Sequence, residues 1–262
     1  MGHIPGPFPE GTLSTKHLFG ARRVGLSGNV DLSDYVDMIR DQGQTSRCVG
    51  AANARTLHVA AQRQKFGGPN PTQMPYPSER GLYSLARAEE SVTGDEELID
   101  EGSVPGLLVT AVQRDIGVPL ERDFPEDDAN INERVPAEVI AAALSIKVKA
   151  IHLIDSDGLN RVDDAVQTLL EGFAFTMAIP VGPEYEGCNS ETPVEACGAQ
   201  VFGGHDVAIL GVKTVNGRRF FKNAGSWGTR FGFNGWVWLA ESVLTDPRAR
   251  DFIVPTVVTD WS

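Results

Sequence analysis

A chain of 262 residues with 41% hydrophobic and 22% charged residues has an ordinary globular composition, which excludes disorder and fibrous repeats and allows one large domain or two packed lobes. Its 28 glycines and 16 prolines favour many turns and ordered loops over a helical bundle. A net charge of −12 and a pI near 4.8 have the wrong sign for neutralising phosphates or docking on anionic lipid, so neither nucleic acid nor membrane is an expected partner.

Residues 1 to 30 are rich in Gly and Pro, show no helical or strand period, and read as an extended arm lying on the body or on a partner. Pro5, Pro7 and Pro9 stand where a secretory signal would carry its apolar run. The longest apolar stretches, around Val139 to Ile146 and Ala174 to Val181, fall well short of the roughly 18 residues of a membrane span. The expected location is therefore cytoplasmic or virion-associated.

From Val49 to Gln64 a run of Ala, Val, Leu and polar residues predicts a buried helix stopped by Gly67, Gly68 and Pro69. Further helices are predicted over Ser78 to Glu90 and from Pro105 to Ile116, the latter ended by Gly117. The second half changes character. A strand is predicted over Ile146 to Leu153, followed by a helix whose apolar face is Val162, Ala165, Val166, Leu169 and Leu170, with Gly172 as its stop. Phe173 to Pro180 reads as a buried strand, and Val207 to Val215 with Arg218 to Asn223 as two strands joined through Asn216 and Gly217. This order predicts an α+β fold: the arm (1–30), a helical lobe (31–130) and a β-rich lobe (131–262).

Of the three cysteines, Cys48 alone stands where a helix begins. Unpaired backbone N–H groups and the helix dipole favour a thiolate there, and the thiolate is the nucleophilic form. The alternative is a small buried apolar residue. Gln42, on the loop entering the same helix, can donate its amide to an oxyanion, as acyl transfer requires. Among five histidines, His3 and His17 lie in the arm, and His58 is ten residues along the helix, about 15 Å from Cys48. His152 alternates within an apolar strand. His205 follows Gly203 and Gly204 and opens a strand, so its ring can project from a rigid strand end toward a cleft. Asn223, ending the partner strand, can orient the imidazole, with Trp227 shielding that bond from water; Asn at a strand end is also a common turn former. A strict two-residue turn at Asn216-Gly217 would pair His205 with Gly228, so an Asn223 partner requires a wider loop or a bulge, and the wider loop is the expectation here.

These residues resemble the papain-like cysteine peptidases. The resemblance rests on Asp-Gln-Gly before Cys48, Gly-His at 204 and 205 followed by Asp-Val-Ala-Ile-Leu-Gly-Val, Phe-Lys-Asn ending at 223, and Ser-Trp-Gly-Thr-Arg-Phe-Gly-Phe-Asn-Gly-Trp at 226 to 236. Leu82 to Arg87, Glu101-Gly102-Ser103, Gly117-Val118 and Phe124-Pro125 resemble bacterial-type members, and the likeness spans about residues 30 to 242. It implies a two-lobed fold with a cleft between a helical lobe and an antiparallel β lobe, and a thiol endopeptidase. By that likeness Cys48 is nucleophile, His205 general acid and base, Asn223 orienter, and Gln42 with the Cys48 N–H the oxyanion hole. Gly102 and Ser103, with Gly204 and Trp227, would meet the peptide substrate. No cofactor or metal is expected.

The chain departs from the family at Arg47, Val49 and Thr45, and at Ala224 and Gly225 between Asn223 and Ser226. Those departures leave two further readings open: an inactive papain-like scaffold serving as a binding module, and a Cys-His cell-wall amidase. Too few residues precede Cys48 for a separately folded inhibitory domain, and the arm could instead cover the cleft or anchor the protein in a larger assembly. Cys188 and Cys197 can pair or stay free. Acid clusters at Asp95 to Glu101 and Glu121 to Asp128 suggest a preference for basic side chains.

Overall fold

The computed structural model describes residues 1–20, 24–89, 97–189 and 192–258. The arm carries a short strand β1 (Leu13–Ser14), one helical turn α1 (Lys16–Phe19) and a strand β2 (Val30–Asp31). It lies on the body, one of the two placements expected for it, and its short strands join the sheet, which the aperiodic sequence did not suggest. Helix α2 (Cys48–Phe66) follows, one residue longer at its start and two at its end than predicted. Gly67, at φ 69°, closes it in the left-handed conformation that glycine adopts without steric cost.

Every residue of α2 from Cys48 to Gln62 is buried. This is why its sequence lacks a polar face: small residues such as Ala51, Ala52, Ala54 and Ala61 let other elements approach from all sides. Helix α3 (Glu79–Ala88) begins at Ser78, whose hydroxyl accepts the Gly81 N–H at 2.8 Å. Helix α4 (Pro105–Thr110) continues as a wider π turn through Asp115 before Gly117, at φ 111°, breaks away. A short helix α5 (Ala137–Ala143) precedes β3 (Val148–Leu153), and α6 (Gly158–Leu170) carries the apolar face read from its spacing. The remaining elements are β4 (Phe175–Val181), α7 (Pro183–Glu186), β5 (Gly203–Val215), β6 (Arg218–Ala224), β7 (Trp236–Ala240), α8 (Glu241–Thr245) and β8 (Arg250–Val258).

The sheet runs β1-β3-β8-β4-β5-β6-β7, with β2 pairing the far end of β5. All pairs are antiparallel except β1 with β3. The last strand in sequence, β8, thus lies inside the sheet, a strand that its own sequence did not reveal. One core joins the sheet to α6 through Val166, Leu169, Phe175, Met177, Ile209 and Phe221. A second joins α2, α3 and α4 through Val49, Leu57, Leu82 and Leu108, and includes Ile151 of β3 and Ile253 of β8. Strands late in the sequence therefore complete the core of the helical part, and α2 contributes to both cores.

The β5–β6 connection corrects the expected wide loop. Val215 pairs with Arg218, and Asn216 (φ 52°) and Gly217 (φ 76°) form a strict two-residue turn of the kind whose positive φ angles match the twist of a hairpin. A bulge between Ile209 and Gly211 supplies the register shift instead, setting Ile209 opposite Asn223.

Close packing at the start of α2 can be tested at Gly50, where an added Cβ would lie 2.3 Å from the Glu79 carbonyl of α3. Gly50→Ala should lower stability by about 1–3 kcal/mol despite alanine's better helix propensity. Urea unfolding of the two proteins measures it, and an unchanged or raised midpoint contradicts the packing.

Candidate active site

Cys48 opens α2 and its side chain is fully buried. The backbone amides of Asp206, from β5, and of Gly2, from the arm, lie near its sulfur and favour its charged form. The expected thiolate is corrected in this arrangement: burial pushes the thiol up to about 11, with the Asp206 carboxyl adding to the rise, against the lowering effect of the two amides. A helix N-terminus favours a thiolate only as far as the site stays hydrated, and here desolvation outweighs it.

Gln42 is buried and tightly set. Its side-chain Nε2 donates to the Thr45 carbonyl at 2.7 Å, leaving one amide hydrogen for another acceptor, and its Oε1 accepts the Ser226 hydroxyl at 2.7 Å. The backbone repeats the link, with Gln42 N–H donating to the Ser226 carbonyl at 2.7 Å and Asp41 bridged to Trp227. The Ser-Trp-Gly run therefore clamps the loop that leads into α2. Arg47 completes the clamp: it donates to the Asp41 carbonyl at 3.0 Å and to the Thr45 hydroxyl at 2.8 Å, and pairs with Glu126 and Asp128. Thr45 in turn donates to the Gln42 carbonyl at 2.7 Å.

His205 is wholly buried near the start of β5, and burial above all lowers its imidazole to about 3. Neither ring nitrogen has a hydrogen-bond partner. Its ring lies against Trp227 (centroids 4.9 Å apart, 35°) and edge-on to Tyr185 (5.9 Å, 60°), and Phe231 packs on both of those neighbours. The expected bond from Asn223 to His205 is not formed. Asn223 stands opposite Ile209, its Nδ2 donates to the Tyr185 hydroxyl at 2.8 Å, and its Oδ1 is buried without a partner.

The arm runs through the cleft. Ser103 N–H donates to the Gly2 carbonyl at 2.8 Å, Ile4 N–H to the Ser103 carbonyl at 3.0 Å, and His3 N–H to the Gly204 carbonyl at 3.3 Å. Gly102, at φ 111°, has no room for a Cβ, which would lie 2.5 Å from the Gly2 carbonyl oxygen. Gly102, Ser103 and Gly204 thus hold a peptide backbone, here the protein's own. What the arm turns to the sulfur is an N–H donor, while the Gly2 carbonyl is bonded to Ser103. His3 enters a pocket where its Nε2 lies 2.6 Å from Asp251 Oδ2. Beyond Met1 the cleft continues as an open groove of about 550 Å3 lined by Gln42, Trp227 and Phe231.

His58 bonds the Met74 carbonyl and Gln62, and His152 meets Thr256, so both are satisfied structural histidines. Cys188 and Cys197 are free thiols. Of the two acid clusters, Glu121, Glu126 and Asp128 answer Arg40 and Arg47, while Asp95 and Glu96 lie outside the described residues. Among the described residues no group of three or more His, Cys, Asp or Glu side chains is arranged to hold a metal ion, and no helix is long and apolar enough to cross a membrane. Sequence reasoning missed Gly2, His3, Tyr185, Asp206, Ser226 and Asp251. Ser226 and Asp206 stood within the quoted motifs, whereas nothing local marked the others.

The geometry can be set beside solved structures. The chain superposes on xylellain, a cysteine protease from Xylella fastidiosa, with a TM-score of 0.75 and 21% identity over 97% of this chain and 94% of that one. It has the fold of the papain-like cysteine proteases. Bromelain from Ananas comosus matches with a TM-score of 0.66 and 16% identity, over 88% of this chain and 100% of that one. Procathepsin B from Trypanosoma congolense gives 0.65 and 16%, over 96% and 82%. No family model and no curated protein matches the sequence.

The buried imidazole sets a pH dependence. Because its folded value lies below the ordinary 6.5, the unfolded chain takes up the proton first, so stability is lost as pH falls below about 6.5 toward 3. Burial raises the Asp206 carboxyl, and that group acts with the opposite sign, losing stability as pH rises above its ordinary 3.8. The comparison of wild type with His205→Gln isolates the imidazole: between pH 7 and 5 the Tm of wild type should fall more than that of the variant. Parallel Tm curves would show that the ring is not held neutral by burial.

Proposed function

We propose that the chain is a papain-like thiol endopeptidase held latent by its own arm. Cys48 attacks a peptide carbonyl, His205 takes the thiol proton and returns it to the leaving amine, and water releases the acyl-enzyme. The developing oxyanion is received by Gln42 Nε2 and the Cys48 N–H. The observation that carries this reading is the meeting at one point of the Cys48 sulfur, the Asp206 amide next to His205, and a peptide strand bonded to Ser103 and Gly204. A cleft that holds a peptide backbone over a cysteine suits peptide hydrolysis better than attack on a glycan-linked amide.

His205 in the closed form lacks an orienting partner, and the sulfur is a protonated thiol. Displacing the arm rehydrates the sulfur and lowers its pKa, and frees the imidazole to share the proton. Asn223 Oδ1, buried and unpaired, is the acceptor available to orient the ring once the cleft opens. A permanently closed scaffold, the second reading, rests on the same closed geometry and differs in reactivity.

The epoxide E64, present in the bromelain structure, separates the two. Mass mapping should find it on Cys48, with labelling slowed at least about tenfold in His205→Ala. Slow labelling that is indifferent to His205 supports the scaffold. Gln42→Ala should reduce kcat by about 100-fold or more with little change in KM, as loss of one oxyanion donor does.

The arm's control has its own test. A Cβ on Gly2 would lie 1.6 Å from the Ser46 carbonyl oxygen, a backbone atom that cannot give way. Gly2→Ala should therefore expel the arm and raise the rate of Cys48 labelling at least about tenfold. An unchanged rate means that the arm does not limit access.

A further inference from the structure

A peptide can meet Cys48 only if two pieces of chain keep their spacing: Gly102 and Ser103, which hold a peptide backbone, and the turn before α2, which leads to the sulfur. A single carboxylate oxygen joins them. Asp100 Oδ1 accepts the N–H of Ser46, in the turn before Cys48, at 2.9 Å and the Tyr83 hydroxyl at 2.7 Å. The Tyr83 oxygen in turn accepts the Gly102 N–H at 3.0 Å. Gly102 is buried, so its amide needs such an acceptor inside the protein. Ser46 adds a second bond, its hydroxyl donating to the Asp100 carbonyl at 3.3 Å.

The middle of this relay is firmly held. Tyr83 belongs to α3 and is fully buried. The Arg87 guanidinium covers its ring at 3.9 Å from the centroid, and Arg87 itself donates to the Ile99 and Ile131 carbonyls at 3.0 and 2.6 Å. On the side of α2, Gly50 makes the room: a Cβ there would lie 3.1 Å from the Tyr83 Cβ. Burial above all, with the bond to Asp100 adding, raises the phenol above its ordinary value, so it keeps its proton and serves as donor and acceptor at once. Asp100, one of the acids from which the sequence suggested a taste for basic side chains, is thus engaged inside the protein.

We propose that Tyr83 and Asp100 are positioning residues: the relay Gly102–Tyr83–Asp100–Ser46 sets the distance between a bound peptide and the Cys48 sulfur. The inference rests on the peptidase reading and adds what keeps its attack geometry. Breaking the relay leaves the bonds of Gln42 to Thr45 and Ser226 intact, and it frees Gly102 and Ser103 to drift from the nucleophile. A displacement of about 1 Å suffices to cost about 100-fold in a reaction that depends on close placement. A reagent too small to need the peptide-holding segment is indifferent to that drift, which separates positioning from damage to the nucleophile.

The test compares two alkylating reagents on full-length protein carrying Gly2→Ala, chosen to expel the arm: iodoacetamide, which meets the sulfur alone, and E64, whose epoxide is carried on a peptide-like chain. Labelling of Cys48 is followed by mass mapping. Tyr83→Phe removes one oxygen and should slow E64 at least about tenfold while iodoacetamide stays within about twofold. Asp100→Asn keeps an oxygen to accept from Ser46 and Tyr83 and should hold E64 labelling within about threefold, whereas Asp100→Ala should be as slow as Tyr83→Phe. Equal slowing of both reagents, no slowing of either, or Asp100→Asn as slow as Asp100→Ala overturns the inference. Failure of the peptidase reading shows separately, as slow E64 labelling of the Gly2→Ala parent that is indifferent to His205→Ala.

Discussion

The placement of one sulfur atom between two backbone amides governs the rest of this molecule. One amide belongs to Asp206, in the strand that carries His205, and the other to Gly2, in the arm. The first joins the start of α2 to the sheet, and the second closes the cleft. With water excluded, burial outweighs the helix dipole and the thiol stays protonated, while the same burial keeps the imidazole neutral. What covers the sulfur thus also removes its charge. The cover is a short stretch of extended chain, bonded to Ser103 and Gly204 through Gly2, His3 and Ile4.

The site is rigid around that sulfur for reasons rooted in the loop before α2. Gln42 has no freedom to swing, because Thr45 holds its nitrogen and Ser226 its oxygen. The Thr45 hydroxyl, with the Arg47 guanidinium, ties the loop by hydrogen bonds. Arg47 is stacked in the midst of acids from a distant segment, so the loop is anchored to residues 126 and 128 as well as to the sheet. A residue that reads as a misfit in the motif is therefore part of the clamp.

Much of this was legible in the sequence where the signals were local. The small-residue run of α2, the Ser78 cap and the apolar face of α6 gave their elements within a few residues, because burial and helical period act over one or two turns. Asn216-Gly217 marked the turn, but its strict two-residue form was set aside for a wider loop because the bulge that reconciles it with Asn223 is not local. The bulge at Leu210 was not readable, since it depends on which residues of two strands face each other, and without it the partner of Asn223 could only be guessed. Strand β8 was missed because its neighbours β3 and β4 precede it by about 75 residues or more. His3 was set aside as an arm residue, and only the three-dimensional path of the arm brings it to Asp251.

The meeting of Asp206 and Asp251 shows where local rules give way. A carboxylate in a strand, just before Val207 and Ala208, contradicts the apolar pattern of a central strand, and a left-handed aspartate inside β8 contradicts regular pairing. Each alone is tolerable. Burial above all raises the Asp206 carboxyl well above its ordinary range, and the charge of Asp251 adds to the rise. A fold selected for stability alone would replace either one with an apolar side chain at little cost. The two aspartates stand on the strands that flank β4, opposite Ala178 on one side and next to its partner Arg250 on the other. His3 of the arm meets that conflict by pairing with Asp251 at 2.6 Å.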